Sequence, residues 1–140
     1  MPSFLKEGDQ VQIIAPAKFV DQLEINYAIE ILKNSGFKVN INENLFNKNA
    51  VFSGTKQERI NNIQSAFENK NIKAIFFARG GYGCIQIIDH INFNHFIKTP
   101  KWLVGFSDAT TILVDLHVRH KINSIHGPMP YNFKQTNKDS

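Results

Sequence analysis

The sequence predicts an α/β protein whose open, mostly parallel sheet is covered by helices on both faces. Short apolar runs of strand length recur along the chain, bounded by Gly, Pro or charged residues. Between them lie longer segments in which apolar residues recur every three or four positions, as on one face of a helix. Strand and helix alternate without an internal repeat. This alternation is typical of parallel sheets, because each helix returns the chain to the same edge.

Five segments are predicted to be strands. The clearest is KAIFFA, because an apolar run flanked by charge is typical of a strand buried on both faces. Such a sheet forms the middle layer of a three-layer sandwich of the flavodoxin-like or class I glutamine amidotransferase-like type. The predicted strands are residues 11–17, 37–42, 73–78, 99–106 and 122–128.

Four segments are predicted to be helices, and the first two carry end signals. Asp21 is the expected N-cap of the first helix, and Gly36 is its C-terminal stop. Thr55 and Glu58 have the spacing of a capping box at the start of the second. The predicted helices are residues 21–36, 55–70, 84–91 and 107–120. Their clearest apolar stripes are Leu23, Tyr27 and Ile31, then Ile25, Ala28 and Leu32, and, in the second helix, Ile60, Ile63 and Phe67.

The composition is that of a soluble, globular, single-domain protein. Of its 140 residues 42% are hydrophobic and 20% charged, which argues against general disorder. The net charge of +4 is scattered, so no nucleic-acid partner is expected. Neither a membrane-spanning segment nor a signal peptide is predicted, and the single cysteine, Cys84, favours the cytoplasm. The predicted domain comprises residues 1–133, and residues 134–140 form a polar, frayed tail.

Two loops rich in small residues follow predicted strands. ARGGYG follows the third strand, and GFSDAT connects the fourth strand to the last helix. In open parallel sheets, ligands bind beyond the carboxyl ends of the strands. We therefore expect both loops on the same side of the molecule, where they can be neighbours.

The loop GFSDAT has the spacing of a nucleophile elbow. In the G-x-S-x-G elbow, a serine lies on a strained strand-to-helix turn between small residues. Gly105, Ser107 and Ala109 occupy these positions here, with alanine in place of the second glycine. The backbone N–H of Asp108 would then lie at a helix N-terminus, where it can stabilise an oxyanion. Alternatively, Ser107 or Asp108 caps the helix, a role that both residue types favour.

The loop ARGGYG is a glycine-rich turn with two interpretations. Gly80, Gly81 and Gly83 allow backbone N–H groups to point at a phosphate, a carboxylate or an oxyanion. Arg79 can bind a substrate carboxylate through two parallel hydrogen bonds. The pattern matches neither the dinucleotide-binding fingerprint nor the Walker loop. The alternative is a tight turn in which glycine only supplies a positive φ.

The five histidines give little support for a metal site. His117 and His120 stand three apart on a predicted helix, but no third ligand accompanies them, so neither a metal nor another cofactor is expected. His90 and His95 are interpreted as structural. His126 ends the last strand at the same edge as the two loops, where it either lines a pocket or caps the strand.

Taken in chain order, four motifs resemble those of the LD-carboxypeptidase family of serine peptidases. They are IIAPA, ARGGYG, GFSDAT and HGPM, and the resemblance spans about residues 8–129. The family includes the murein tetrapeptide carboxypeptidases and the microcin C immunity proteins. The resemblance implies a Ser-His-Glu enzyme that cleaves an amide between an L- and a D-amino acid. Its expected substrate is murein tetrapeptide, which would lose its terminal D-alanine in cell-wall recycling.

The same resemblance implies roles for residues of the two loops. Ser107 is the nucleophile. The backbone N–H of Asp108 and one from the Gly80–Gly81 turn, with Gly81 as the expected donor, form the oxyanion hole. The expected substrate-binding residues are Arg79, Tyr82 and His126.

One departure from the family pattern limits this expectation. In the family, the base histidine and its orienting glutamate come from a C-terminal domain, which is expected to lie outside these 140 residues, and the resemblance assigns none of the five histidines here to that position. Without a base the serine hydroxyl stays protonated near neutral pH and is a poor nucleophile. The chain is therefore expected to hold half an active site and to be inactive alone. Its uncovered face is expected to cause self-association, and the full-length form to be a homodimer.

Two alternative functions remain open. An immunity-type peptidase would cleave a peptide–nucleotide antibiotic, and the features that separate it from a murein peptidase are expected largely outside this segment. A flavodoxin-like binding module would hold the phosphate of a nucleotide or flavin at RGGYG, independently of Ser107.

Overall fold

The computed structural model describes residues 2–133, so the predicted tail 134–140 lies outside the described residues. Within this range five strands form one sheet in the order β2-β1-β3-β4-β5, and every neighbouring pair is parallel. This is the flavodoxin-like strand order, and it confirms the predicted parallel sheet. The strands are β1 (Gln10–Ile14), β2 (Lys38–Ile41), β3 (Ile72–Phe77), β4 (Trp102–Gly105) and β5 (Ile125–His126).

Helices cover both faces of the sheet, as predicted. Short 3₁₀ turns occupy Glu43–Phe46, Ile88–His90, Ser107–Ala109 and Pro130–Asn132. The α-helices are α1 (Gln22–Asn34), α2 (Lys56–Glu68), α3 (Cys84–Ile87), α4 (Asn94–Lys98) and α5 (Thr110–His120).

Two hydrophobic cores lie on opposite faces of the sheet. In the larger core α2, α3, α4 and α5 pack on the sheet, and Phe67 and Phe96 are fully buried with ring centroids 4.7 Å apart. In the smaller core α1 packs on the other face through Ile25 and Leu32. Burying a side chain of this size stabilises the fold by about 1.5–3 kcal/mol, so the two cores fix the sheet that carries the loops.

The sheet brings the two glycine-containing loops together. β3 and β4 are neighbours, with Phe76 paired to Val104. The loop Arg79–Gly83 follows β3, and Ser107 follows β4. Because the strands are parallel, both loops leave the same edge, as the sequence predicted.

Several predicted elements differ in detail from the observed ones, and the last predicted strand, residues 122–128, is reduced to Ile125–His126. β1 ends at Ile14 rather than at residue 17, and the next three residues lead into the loop before α1. The predicted helix 84–91 is one turn of α-helix followed by a 3₁₀ turn, and α4 was not predicted. On α1 only one of the two apolar stripes is buried, and Leu23 of the other stripe is 85% exposed.

The predicted helix ends are largely confirmed. Asp21 occupies the N-cap position of α1 but makes no side-chain cap hydrogen bond, and Gly36 ends the helix with φ +95°. Thr55 and Glu58 form the predicted capping box. Hydrogen bonds from Asn47 and from Thr55 hold the pKa of Glu58 below its ordinary value. The stability that Glu58 contributes through these hydrogen bonds is therefore present above its pKa in the unfolded chain. It is lost as the pH falls through the lower pKa of Glu58 in the folded protein.

Thr55→Ala is expected to destabilise the protein by about 1 kcal/mol, because it leaves the N–H of Glu58 without its capping oxygen. Urea denaturation at neutral pH measures this loss. Thr99→Ala is the matched control, because Thr99 is exposed and lies outside any N-cap. Equal midpoints for the two variants would contradict a stabilising role for the cap.

Candidate active site

Ser107 has the backbone conformation expected of a nucleophile elbow. Its φ is +58°, in the left-handed region, which costs a non-glycine residue about 1–3 kcal/mol. Two other non-glycine residues share this conformation, Ala50 in a turn and Lys121 at the C-cap of α5, where it is common. Ser107 differs because it begins the helical segment after a buried strand, separated from that strand by Phe106 alone, and it is exposed there. The strain therefore lies at the residue that the sequence marked as the nucleophile.

Small residues surround this turn because there is no room for larger ones. A Cβ added to Gly105 would lie 2.9 Å from Cδ2 of Phe77 and 3.1 Å from Cβ of Ala109. In real structures, Cβ atoms essentially never lie as close as 2.9 Å to another heavy atom. Ala109 is itself buried. The G-x-S-x-A spacing therefore has a steric cause in the packing of the elbow on β3.

The structure does not support the capping interpretation of GFSDAT. Phe106 occupies the N-cap position of the turn Ser107–Ala109, and neither this turn nor α5 has a side-chain cap hydrogen bond. The carboxylate of Asp108 instead accepts a hydrogen bond from the backbone N–H of Cys84, at 2.9 Å. Asp108 thus binds the glycine loop rather than its own helix.

The glycine loop lies directly against Ser107. A Cβ on Gly80 would lie 3.1 Å from both Cβ and Oγ of Ser107, which is closer than most real Cβ contacts, so the loop leaves little room for a side chain beside the hydroxyl. Gly81 has φ +117°, and a Cβ there would meet the side chain of Lys18 at 2.5 Å. Glycine is therefore required in this loop by close approach as well as by its backbone conformation.

Arg59 binds the glycine loop through hydrogen bonds, and the sequence analysis did not identify this residue as part of the site. The side chain is 2% exposed and comes from α2. Its guanidinium donates to the carbonyl oxygens of Pro16 and Gly83, each at 3.2 Å, and to Oε1 of Gln86 at 2.8 Å. Desolvation lowers the pKa of Arg59, and the nearby Asp108 carboxylate opposes this effect. The only signal for Arg59 in the sequence was that a charged residue stands on the face of α2 that the apolar stripe predicts to be buried.

Arg79 and Tyr82 lie at the rim of the site in different environments. The Arg79 guanidinium stacks on Tyr131, 4.0 Å from the ring centroid, and pairs with Glu24 at 3.5 Å. Tyr82 is 52% exposed, and its ring packs edge-on against Phe52. The substrate-binding roles of both residues stay predictions.

The described histidines do not complete a triad at Ser107. His126 ends β5, is exposed, and packs edge-on against Phe106 with ring centroids 6.0 Å apart. His120 packs against Phe93 on the far part of α5. Within residues 2–133 no hydrogen bond joins a histidine ring to Ser107, and no three His, Cys, Asp or Glu residues are grouped as a metal site.

Cys84 is a free thiol buried beside the site. Its side chain is fully buried. Burial, followed by the charge of the Asp108 carboxylate, raises the pKa of the Cys84 thiol far above its ordinary value. The thiol therefore stays protonated and is a poor nucleophile.

Comparisons with known proteins show which family the chain belongs to. A family model described as the LD-carboxypeptidase N-terminal domain matches residues 11–127. The chain belongs to the LD-carboxypeptidase family. A probable murein peptide carboxypeptidase of Bacillus subtilis is 32% identical over 128 residues, covering 91% of this chain and 40% of that protein. The microcin C7 self-immunity protein MccF of Escherichia coli is 26% identical over 115 residues, covering 81% of this chain and 33% of MccF.

The fold of this LD-carboxypeptidase domain is also shared with a solved structure. The crystal structure of an MccF-like protein from Bacillus anthracis matches with a TM-score of 0.88 at 24% identity, over 94% of this chain and 41% of that chain. The chain thus spans a third to two fifths of the length of these relatives. Among residues 2–133, no helix has the length and apolar character needed to cross a bilayer.

Proposed function

We propose that this domain supplies the nucleophile and the oxyanion hole of a serine LD-carboxypeptidase that removes the terminal D-alanine from murein tetrapeptide. The observation that carries the proposal is the strained Ser107, held at a strand-to-helix junction against Gly80. Left-handed strain at a non-glycine residue persists only where the surroundings enforce it, and such residues cluster at active sites. Family membership and the murein peptide carboxypeptidase relative support the substrate class.

The proposed reaction begins with attack of the Ser107 Oγ on the carbonyl carbon of the amide that precedes D-alanine. A base takes the hydroxyl proton, and the carbonyl oxygen becomes an oxyanion that accepts hydrogen bonds from the N–H groups of Asp108 and Gly81. The C–N bond then breaks, and the base returns the proton to the leaving amine of D-alanine. Water hydrolyses the acyl-enzyme and regenerates the serine.

The base and its orienting carboxylate are proposed to come from a C-terminal domain that packs over this edge of the sheet. Ser107 is exposed and is not hydrogen-bonded to any histidine within residues 2–133, which leaves its hydroxyl open to such a partner. The domain alone is therefore proposed to be inactive, and the full-length form to be a homodimer in the cytoplasm.

The substrate is proposed to contact three rim residues. Tyr82 and His126 present exposed rings near the loops that follow β3 and β5. Arg79 is proposed to face the C-terminal carboxylate of the peptide. Its pairing with Glu24 is long, at 3.5 Å, and therefore weak enough for a substrate carboxylate to compete.

Release of D-alanine from murein tetrapeptide tests the function. The complete gene product is expected to release D-alanine, detected by mass spectrometry, and residues 1–140 alone are expected to release none. The same peptide ending in L-alanine is the control and should not be cleaved. If the complete product leaves the D-alanine peptide intact, the proposed function is wrong.

The second candidate is an immunity-type peptidase, which the 26% identity to MccF favours. In that case the complete product would cleave a peptidyl or aminoacyl sulfamoyl adenylate and spare murein tetrapeptide. Parallel assays with the two substrates separate the candidates.

A further inference from the structure

The carboxylate of Asp108 and the guanidinium of Arg59 hold opposite ends of one peptide group. Asp108 Oδ2 accepts from the N–H of Cys84 at 2.9 Å. Arg59 Nη1 donates to the carbonyl oxygen of Gly83 at 3.2 Å. This C=O and this N–H belong to the same peptide bond, which is planar. Two hydrogen bonds at its two ends therefore fix both its position and the direction in which it faces.

The surroundings also restrain this peptide group. Gly83 has φ +131°, which side-chain-bearing residues rarely adopt, and a Cβ there would lie 2.8 Å from Nη1 of Arg59. Arg59 cannot follow a displaced loop, because its guanidinium also binds Pro16 and Gln86 and stacks on Phe52. The clamp, defined as Arg59, the Gly83–Cys84 peptide and Asp108, is thus anchored on the fold.

One residue connects this clamp to the nucleophile. Asp108 follows Ser107 directly, so its backbone belongs to the elbow while its side chain holds the glycine loop. The other end of that loop, at Gly80, touches Ser107. A side chain of the elbow itself therefore bonds the elbow to the loop.

We propose that Asp108 is a positioning residue whose carboxylate sets the spacing between its own backbone N–H and that of Gly81. This inference rests on the proposed function, in which those two N–H groups bind the oxyanion. The oxyanion exists only in the tetrahedral intermediate, so correct spacing lowers the barrier without tightening substrate binding.

Kinetics of the complete gene product test the proposal, because a substitution at position 108 keeps the backbone N–H and removes only the carboxylate. Asp108→Ala is expected to lower kcat about 100-fold with KM unchanged within about twofold, since misplacement by about 1 Å has this effect. Asp108→Asn retains an acceptor oxygen for Cys84 and should recover most of that loss. Asp89→Ala removes an exposed carboxylate on a neighbouring turn and is the matched control.

Gly83→Ala perturbs the clamp from the opposite side and provides a second test. Its added methyl group meets the Arg59 guanidinium, so kcat should again fall with KM unchanged. If wild type is active and Ser107-dependent but both Asp108→Ala and Gly83→Ala keep kcat, the positioning role alone is refuted. The proposal is also overturned if KM of Asp108→Ala rises in proportion to its loss of activity and Asp108→Asn does not recover that loss. If the wild type itself is inactive, the proposed function fails and this inference fails with it.

Discussion

Ser107→Ala is expected to lower D-alanine release by the complete gene product at least about 10⁴-fold, because it removes the attacking oxygen. The oxyanion donors and the substrate contacts remain, so a small residual rate above water is expected. Alanine carries the same Cβ strain as serine at φ +58°, so the fold should be unaffected. Initial rates and urea denaturation measured on the same preparation distinguish loss of chemistry from loss of structure.

Ser65→Ala is the matched control, because Ser65 is exposed on α2 and lies far along the chain from the elbow. It should keep wild-type rates. A Ser107→Ala variant that retains more than a tenth of the wild-type rate would show that another group is the nucleophile.

Arg59→Met is expected to destabilise the domain by about 3 kcal/mol, the largest single effect on stability that we predict. Methionine fills similar apolar space but leaves the carbonyl oxygens of Pro16 and Gly83 without their donor, and each unmet buried group costs about 1–3 kcal/mol. The free energy of unfolding from urea denaturation measures the loss.

Arg119→Met provides the comparison for Arg59→Met. Among residues 2–133, Arg119 makes only an i,i+4 ion pair with Asp115, and its side chain is 63% exposed. Such pairs contribute about 0.3–0.5 kcal/mol, so the control should remain close to wild type. Equal stabilities of the two variants would contradict the structural role of Arg59.

Much of the candidate site was predictable because its signals are local in sequence. The elbow is written in five consecutive residues, Gly105 to Ala109, and the glycine loop in ARGGYG. That the two loops lie close together followed from topology alone, since the carboxyl ends of parallel strands meet at one edge of the sheet. The capping box at Thr55 and Glu58 was equally predictable, because its two hydrogen bonds span three residues.

The roles of Arg59 and the Asp108 side chain were not predictable, because their partners are distant along the chain. Arg59 reaches a carbonyl 43 residues away, and Asp108 binds an N–H 24 residues away. Propensity and periodicity carry no information about such pairs. Only the tertiary structure decides against helix capping by Asp108, because it shows that the Asp108 carboxylate accepts a hydrogen bond from the N–H of Cys84.

The sequence by itself determined the α/β class, the parallel sheet, the family and the position of the strained serine, because periodicity and short motifs encode local backbone choices. The tertiary structure decided which stripe of α1 is buried, how closely Gly80 approaches Ser107, and which side chains hold the loop. These depend on packing between elements far apart in the chain, where steric fit and hydrogen-bond partners exist only once the sheet has assembled.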